Sequence, residues 1–92
     1  MNIQIYERKI IHIVNERIAL EHCKRIVKNL LEKENMCKKN NEILISYIYE
    51  IEVEQDILCA MIPELVKLIK NKSIIVEYVI ENGVKKAIIT VS

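Results

Sequence analysis

The pattern of hydrophobic and polar residues is most informative in the last fifth of the chain, where residues 73–92 read SIIVEYVIENGVKKAIITVS. Two runs of branched aliphatic residues flank Asn82-Gly83. A type I′ turn needs positive φ at both central positions, which Asn tolerates and Gly adopts without steric cost. The sequence therefore predicts a β-hairpin in which Glu81 faces Val84. The other predicted pairs are Ile80–Lys85, Tyr78–Ala87, Val76–Ile89 and Ile74–Val91 on an apolar face, and Ile75–Thr90, Glu77–Ile88 and Val79–Lys86 on a mixed face.

The first part of the chain changes from extended to helical spacing. Residues 2–14 show no helical face, which predicts either one long strand or two short strands joined near residues 7–9. Residues 16–33 place apolar side chains on one side and charged side chains on the other, which predicts an amphipathic helix with Asn15 as its N-cap. Residues 34–41 are polar and rich in Asn, so we expect a loop there.

The middle of the chain repeats the change from strand to helix. Residues 43–53 alternate, with Ile43, Ile45, Tyr47, Tyr49, Ile51 and Val53 on one face. Residues 57–69 return to helical spacing, and Pro63 either kinks this helix or is its first residue. The predicted order is β(β)αβαββ. We expect one α+β domain over residues 1–92, with a mixed four- to five-stranded sheet, two helices on one face and a hairpin at the end.

Composition narrows the classes of function. The chain has 92 residues, of which 51% are hydrophobic, so we expect part of this apolar surface to lie in a homodimer or partner interface. The formal net charge is +1, whereas nucleic-acid-binding domains are usually far more basic. There is no membrane-spanning apolar run and no signal-peptide pattern, and the three cysteines form no CxxC pair. We expect a cytoplasmic protein with reduced thiols.

Motifs for catalysis are missing from the sequence. There is a single glycine, and the P-loop, GxGxxG, HExxH and GxSxG patterns do not occur. The residues that favour transition metals are His12, His22, Cys23, Cys37 and Cys59, and no two of them have the spacing of a zinc site. We expect Cys23 and Cys59 to be buried and Cys37 to be exposed between polar neighbours. The sequence therefore predicts a protein that is not an enzyme and has no cofactor or metal.

An acidic run is the first candidate binding site. It consists of Glu50, Glu52, Glu54 and Asp56, with no Lys or Arg among residues 43–63. Glu50 and Glu52 share one strand face and lie roughly 7 Å apart, from a rise of about 3.3 Å per residue. This ladder is a candidate site for Mg²⁺ or for a basic protein surface, and we expect the protein surface because no activating base or phosphate-binding loop accompanies the carboxylates. The simpler interpretation is a solvated strand face.

A basic run is the alternative candidate site, for phosphates. It consists of Lys24, Arg25, Lys28, Lys38 and Lys39, on the outer side of the first predicted helix and in the loop after it. These cations suit a nucleic-acid backbone or the acidic strand of a second subunit. No aromatic residue lies among them, so stacking on single strands is not indicated. The simpler interpretation is a solubilising helix face.

The order βαβαββ in 92 residues resembles that of Alba-type chromatin and RNA-binding proteins and of the C-terminal domain of bacterial translation initiation factor three. The resemblance is in element order, and it implies nucleic-acid binding. In the Alba family the loop after the first strand is basic, whereas here it reads Asn15-Glu16. The second strand–helix junction of that family carries Gly and basic residues, whereas here it reads Glu54-Gln55-Asp56.

Two functions therefore remain in view, ahead of a third, an enzyme that uses the acidic ladder with a divalent cation. The first is a non-enzymatic interaction protein of the regulator or inhibitor type, which binds another protein and acts as a homodimer. The alternative is a nucleic-acid-binding protein with Alba-like or initiation-factor-like topology.

Overall fold

The chain forms a mixed sheet with two helices. The computed structural model describes residues 1–13 and 15–92, with the side chains of residues 9–12 outside that description. Within these ranges the elements are β1 (Asn2–Ile13), α1 (Glu16–Lys39), β2 (Ile43–Val53), α2 (Gln55–Leu68), β3 (Ile74–Glu81) and β4 (Val84–Val91). The predicted α+β class and element order are confirmed, with four strands in the sheet. Val14, which the sequence assigns to extended structure, lies outside the described residues.

Strand order explains why both helices share one face. The sheet runs β1-β2-β4-β3, with β1 parallel to β2 and β4 antiparallel to both of its neighbours. The connections β1–α1–β2 and β2–α2–β3 therefore join parallel strands and step in the same direction across the sheet. Because such crossovers are right-handed, both helices lie on the same face. The core fills the space between them and consists mainly of Ala19, Cys23, Ile26, Leu30, Tyr47, Tyr49, Ile51, Leu58, Met61, Leu65, Ala87 and Ile89.

The hairpin is formed as the sequence predicts. Asn82 and Gly83 have φ of 52° and 78°, the positive values that a type I′ turn needs. Glu81 pairs with Val84, and every other predicted pair is present. The local turn chemistry and the hydrophobic face specify the same register.

Two register shifts interrupt the pairing of β1 with β2. β1 is one strand, and the shifts fall between Ile3 and Gln4 and between Lys9 and His12. At the first shift Ile45 has no partner on β1. This extra residue reverses the alternation at the start of β2. Leu44 therefore packs against the core, while Ile43 and Ile45 are exposed, so their predicted place on the buried face is wrong.

Helix α1 is longer than the sequence pattern predicts. The predicted loop over residues 34–41 is wrong, because the helix continues to Lys39. Cys37 lies two turns after Leu30 and extends the buried side through this polar stretch. Asn41 has a φ of 56°, and the left-handed conformation that Asn tolerates ends the helix. At the other end Asn15 caps the helix as predicted, since its Oδ1 accepts a hydrogen bond of 3.0 Å from the Ile18 N–H.

Helix α2 runs through its proline. It begins at Gln55 and ends at Leu68, so Pro63 lies in its interior and is not its first residue. The ring of Pro63 is on the exposed side. The buried side of α2 is formed by Leu58, Met61 and Leu65, at the spacing that the sequence predicts.

Candidate protein-binding face

In the described part of the chain, no helix covers the second face of the sheet, which we call the open face. It is formed by the residues that alternate with the core-facing side chains, among them Gln4, Tyr6, Arg8, Ser46, Ile48, Glu50, Glu52, Ile75, Glu77, Val79, Glu81, Val84, Lys86, Ile88 and Thr90. One row across it joins Tyr6, Ile48, Thr90 and Ile75. Tyr6 is 56% exposed and Ile75 is 55% exposed, so apolar surface reaches both sides of this face.

Glu50 lies in the middle of the open face and is nevertheless only 6% exposed. Tyr6 donates its hydroxyl hydrogen bond to Glu50 Oε2. The Lys86 Nζ lies 3.1 Å from Glu50 Oε1, and the Arg8 Nε lies 4.0 Å from Oε2. The carboxylate is therefore shielded by side chains from β1 and β4, on either side of β2.

The charges of this cluster stabilise one another. The hydrogen bond from Tyr6 and that from Lys86 hold the pKa of Glu50 below its usual value. The same contacts raise the pKa of Tyr6 and of Lys86 above their usual values. Lys86 also lies 3.2 Å from Glu81 Oε2, so the cluster reaches the end of β3. The ionised carboxylate of Glu50 therefore holds Tyr6 and Lys86 in place, and both of its oxygens already have partners within the fold.

The structure separates the four acidic residues of the predicted site. Glu50 and Glu52 lie on the open face, and Glu52 faces Lys86 in register. Glu54 follows β2, and its Oε2 lies 2.8 Å from the Lys85 Nζ, which raises the pKa of Lys85. Asp56 lies in the first turn of α2, where its Oδ1 accepts a hydrogen bond from the Ile57 N–H.

Two further acidic residues, Glu77 and Glu81, join the open face from β3. The acidic run does not include them because they are distant from Glu50 in sequence. The hairpin register already placed Glu77 on the mixed face, so that signal was available. Only the β2–β4 pairing shows that this mixed face continues onto Glu50 and Glu52.

The five basic residues of the alternative site lie on the helical layer. Lys24, Arg25, Lys28, Lys38 and Lys39 are all exposed and all belong to α1. The predicted loop position of Lys38 and Lys39 is wrong, because both lie in the last turn of the helix. From Lys24 to Lys39 the helix advances about 22 Å at about 1.5 Å per residue. The cations are therefore held along one rigid element, in the layer opposite the open face.

A second group of polar residues lies between α1 and the sheet. The Tyr47 hydroxyl donates a hydrogen bond of 2.6 Å to Glu7 Oε2, and the Lys33 Nζ lies 3.6 Å from Glu7 Oε1. The Tyr49 hydroxyl lies 3.0 Å from the Nε2 of His22, which is buried. Burial raises the pKa of Tyr49 to about 12 and raises that of Tyr47 further. Both phenols are therefore neutral, and they satisfy polar atoms inside the fold.

The cysteines differ from the predictions at two positions. Cys23 is buried as expected, and burial raises its pKa to about 11. Cys37 is buried, not exposed, because α1 extends past it, and Cys59 is exposed, not buried. His12, the other candidate ligand, has its side chain outside the described region. Among the described side chains no three His, Cys, Asp or Glu residues form a group suited to a metal ion.

Comparison with family models, with curated proteins and with solved structures finds no match to this chain. Over the described ranges, neither helix is both long enough and apolar enough to cross a membrane. The described residues therefore offer three candidate binding surfaces. They are the open face, the sheet edges, and a row of cations on α1, which we call the basic row and which consists of Lys24, Arg25, Lys28, Lys38 and Lys39.

Proposed function

We propose that this chain is a non-enzymatic interaction protein, of the regulator or inhibitor type, that binds another protein through its open face. The observation that carries the proposal is a sheet face that no helix of the described residues covers and whose apolar residues include the exposed Tyr6 and Ile75. Tyrosine is one of the residues that supply most of the binding free energy at protein interfaces, and the apolar side chains around it exclude water from the contact.

The size of the open face suits such a contact. Four strands about 4.8 Å apart and about eight residues long, at about 3.3 Å per residue, cover a flat area of about 500 Å². A standard interface buries about 800 Å² of accessible surface on each partner, and a surface with side chains exceeds its flat area. The open face is therefore of the order that a specific complex requires.

Charge indicates the kind of partner. Among the described side chains, the open face carries Glu50, Glu52, Glu77 and Glu81 against two cations, Arg8 and Lys86. Glu50 is shielded within its own cluster, so the other three carboxylates form the acidic rim. A partner with an apolar centre and a basic rim complements this arrangement.

The test replaces Ile48, in the middle of the open face, by lysine. Ile48→Lys introduces a charge that a partner has to desolvate, and we expect capture of the partner from an extract of the native cells to fall at least ten-fold. The matched control is Val66→Lys, which makes a comparable change on the exposed surface of α2 and should leave capture unchanged. Equal capture by both variants would remove the open face from the proposal. Circular dichroism of each variant checks the fold.

We also propose that the chain works as a homodimer in the cytoplasm. The 51% hydrophobic content leaves large apolar side chains exposed on several elements, including Leu31, Val66 and Ile80. A second copy that covers part of this surface lowers its exposure to water. The cysteines are all free, which suits a reducing compartment.

A second candidate function, nucleic-acid binding, is favoured by the basic row on α1. The longer helix holds Lys24, Lys28 and Lys38 on one rigid element, and lysines neutralise the phosphates of a nucleic-acid backbone. Fluorescence anisotropy with mixed DNA and RNA oligonucleotides at low and near-physiological salt tests it. We expect affinity to fall with salt and with Lys28→Glu, but not with Lys67→Glu on α2. No binding even at low salt would exclude this function for the basic row.

A further inference from the structure

The outer edge of the sheet at β3 has unpaired backbone groups in a regular pattern. Ser73 and Ser92 exchange two hydrogen bonds, of 2.8 and 3.0 Å, so they form a hydrogen-bonded pair of the antiparallel ladder. Such pairs occur at every second residue, so the odd-numbered residues of β3 bond to β4. The N–H and C=O groups of the even-numbered residues, Ile74, Val76, Tyr78 and Ile80, therefore point away from the sheet.

This edge carries few of the features that usually prevent strands from pairing between molecules, since Glu77 and Glu81 are its only charged residues. Natural edge strands are interrupted by bulges or carry proline or lysine. β1, at the opposite edge, has two register shifts and the charged segment 7–9. β3 pairs with β4 without a shift and contains no proline, lysine or arginine. Its Ile75 and Ile80 are exposed, the latter by 64%, and they flank the edge on opposite faces.

We propose that β3 pairs antiparallel with β3 of a second copy, which joins the two sheets into one continuous sheet. This inference rests on the homodimer proposed above and assigns its surface. A two-fold axis perpendicular to the sheet brings the outward N–H and C=O groups of the two edges opposite each other.

Charge and the length of the strand overlap together select the register of this pairing. With the axis at Glu77, the two copies of that carboxylate lie directly opposite each other, which destabilises a strand pair. With the axis at Tyr78, Glu77 faces Val79 of the second copy and Glu81 faces Ile75. Tyr78 then pairs with itself and Val76 pairs with Ile80, which forms about six N–H···O bonds across the axis. No like charges are opposed in this register. An axis at Val76 opposes none either, but it pairs only residues 74–78 of the two strands, whereas the axis at Tyr78 pairs residues 75–81, so we assign the axis at Tyr78 to the dimer.

The arrangement has a consequence for partner binding. A two-fold axis perpendicular to the sheet keeps both open faces on the same side of the joined sheet. The dimer therefore presents two open faces side by side, with Glu77 and Glu81 of both copies at their junction, which suits a partner with two equivalent basic sites. Binding at both sites raises the apparent affinity without any new contact.

The first test measures mass in solution by light scattering over a range of concentrations. We expect wild type at twice the 10.8 kDa of one chain. Ile80→Lys places a charge at the edge and should raise the dissociation constant of the dimer at least ten-fold. The matched control is Val84→Lys, which makes a similar change across the same turn on the inner strand β4 and should remain dimeric. A dimeric Ile80→Lys would overturn the edge assignment.

The second test needs no variant and uses amide hydrogen exchange by NMR. In the dimer the amides of Val76, Tyr78 and Ile80 should be protected, and on dilution to the monomer they should exchange rapidly while those of Glu77 and Val79 stay protected. A wild-type dimer with rapidly exchanging even-numbered amides contradicts the edge assignment alone. A wild type that stays monomeric at high concentration contradicts the homodimer as well. The capture experiment with Ile48→Lys tests the open face separately, so its outcome does not depend on either dimer test.

Discussion

At the scale of single residues, Glu50 differs most from what its sequence neighbours suggest, because its carboxylate is shielded and not exposed to solvent. Seen in sequence, it belongs to an acidic run on a strand face. In the fold it is shielded by Tyr6, Lys86 and Arg8, although no helix covers it. Replacing it by lysine would place a third cation among Lys86 and Arg8, and the loss of stability would obscure any effect on binding.

The lowered pKa of Glu50 predicts how stability depends on pH. Because the folded-state pKa lies below the unfolded one, the stabilisation is fully present above the ordinary carboxyl pKa of about 4.3 and is lost as the pH falls through the folded-state value. We expect Glu50→Gln to lower the free energy of unfolding at neutral pH by about 1–3 kcal/mol. Below about pH 4.3 the difference from wild type should shrink.

Urea denaturation between about pH 3 and 7 measures this dependence. The matched control is Glu52→Gln on the same face of β2, which leaves the Tyr6–Glu50–Lys86 contacts in place and should keep the pH dependence of the wild type. If Glu50→Gln and wild type lose stability in parallel as the pH falls, the shielded carboxylate is not what stabilises this cluster.

At the scale of elements, the hairpin matches its sequence signals more closely than α1 or the first residues of β2 do. The hairpin register is set locally, since Asn82 and Gly83 supply both positive φ values. The end of α1 is not set by composition, because Cys37 continues the buried side through residues that look like a loop. The face to which the first residues of β2 point depends on the register shift in its pairing with β1. The hydrophobic periodicity of β2 alone carries no information about that shift. Local signals therefore predict the turn, and contacts between elements decide where α1 ends and which way β2 faces.

At the same scale, the position of Pro63 predicts how a substitution in α2 changes the stability of the protein. It lies inside α2, where it donates no N–H to the carbonyl four residues earlier. We expect Pro63→Ala to raise the free energy of unfolding by about 1–2 kcal/mol, since the restored helix bond outweighs the greater freedom of the unfolded chain. Thermal denaturation measures the change, with Lys67→Ala, on the same helix, as a control that alters no backbone group. An unchanged or lower melting temperature would show that α2 is adapted to its proline.

At the scale of the whole molecule, the packing of the helices on the sheet decides which thiols meet solvent. Cys59 is exposed, whereas Cys23 and Cys37 are buried. In the native protein we expect one thiol per chain to react rapidly with a disulfide reagent, and three to react in denaturant. Absorbance of the released thiolate counts them, and Cys59→Ser should abolish the rapid phase. Two rapid thiols would place the end of α1 in solvent.

The sequence by itself determines the α+β class, the element order, the hairpin with its register, the N-cap of α1 and most of the buried sides of both helices. These follow from signals that act over a few residues, namely turn geometry, capping and the two hydrophobic periods. Leu31 is the exception, since the helical spacing predicts it on the apolar side of α1 and the structure exposes it. The tertiary structure decides the strand order, the open face and the burial of Glu50. It also separates Glu54 and Asp56 from the face that the acidic run predicted. Those features depend on which strands become neighbours, and residues such as Tyr6, Glu50 and Lys86 meet only because strands far apart in sequence pair in one sheet.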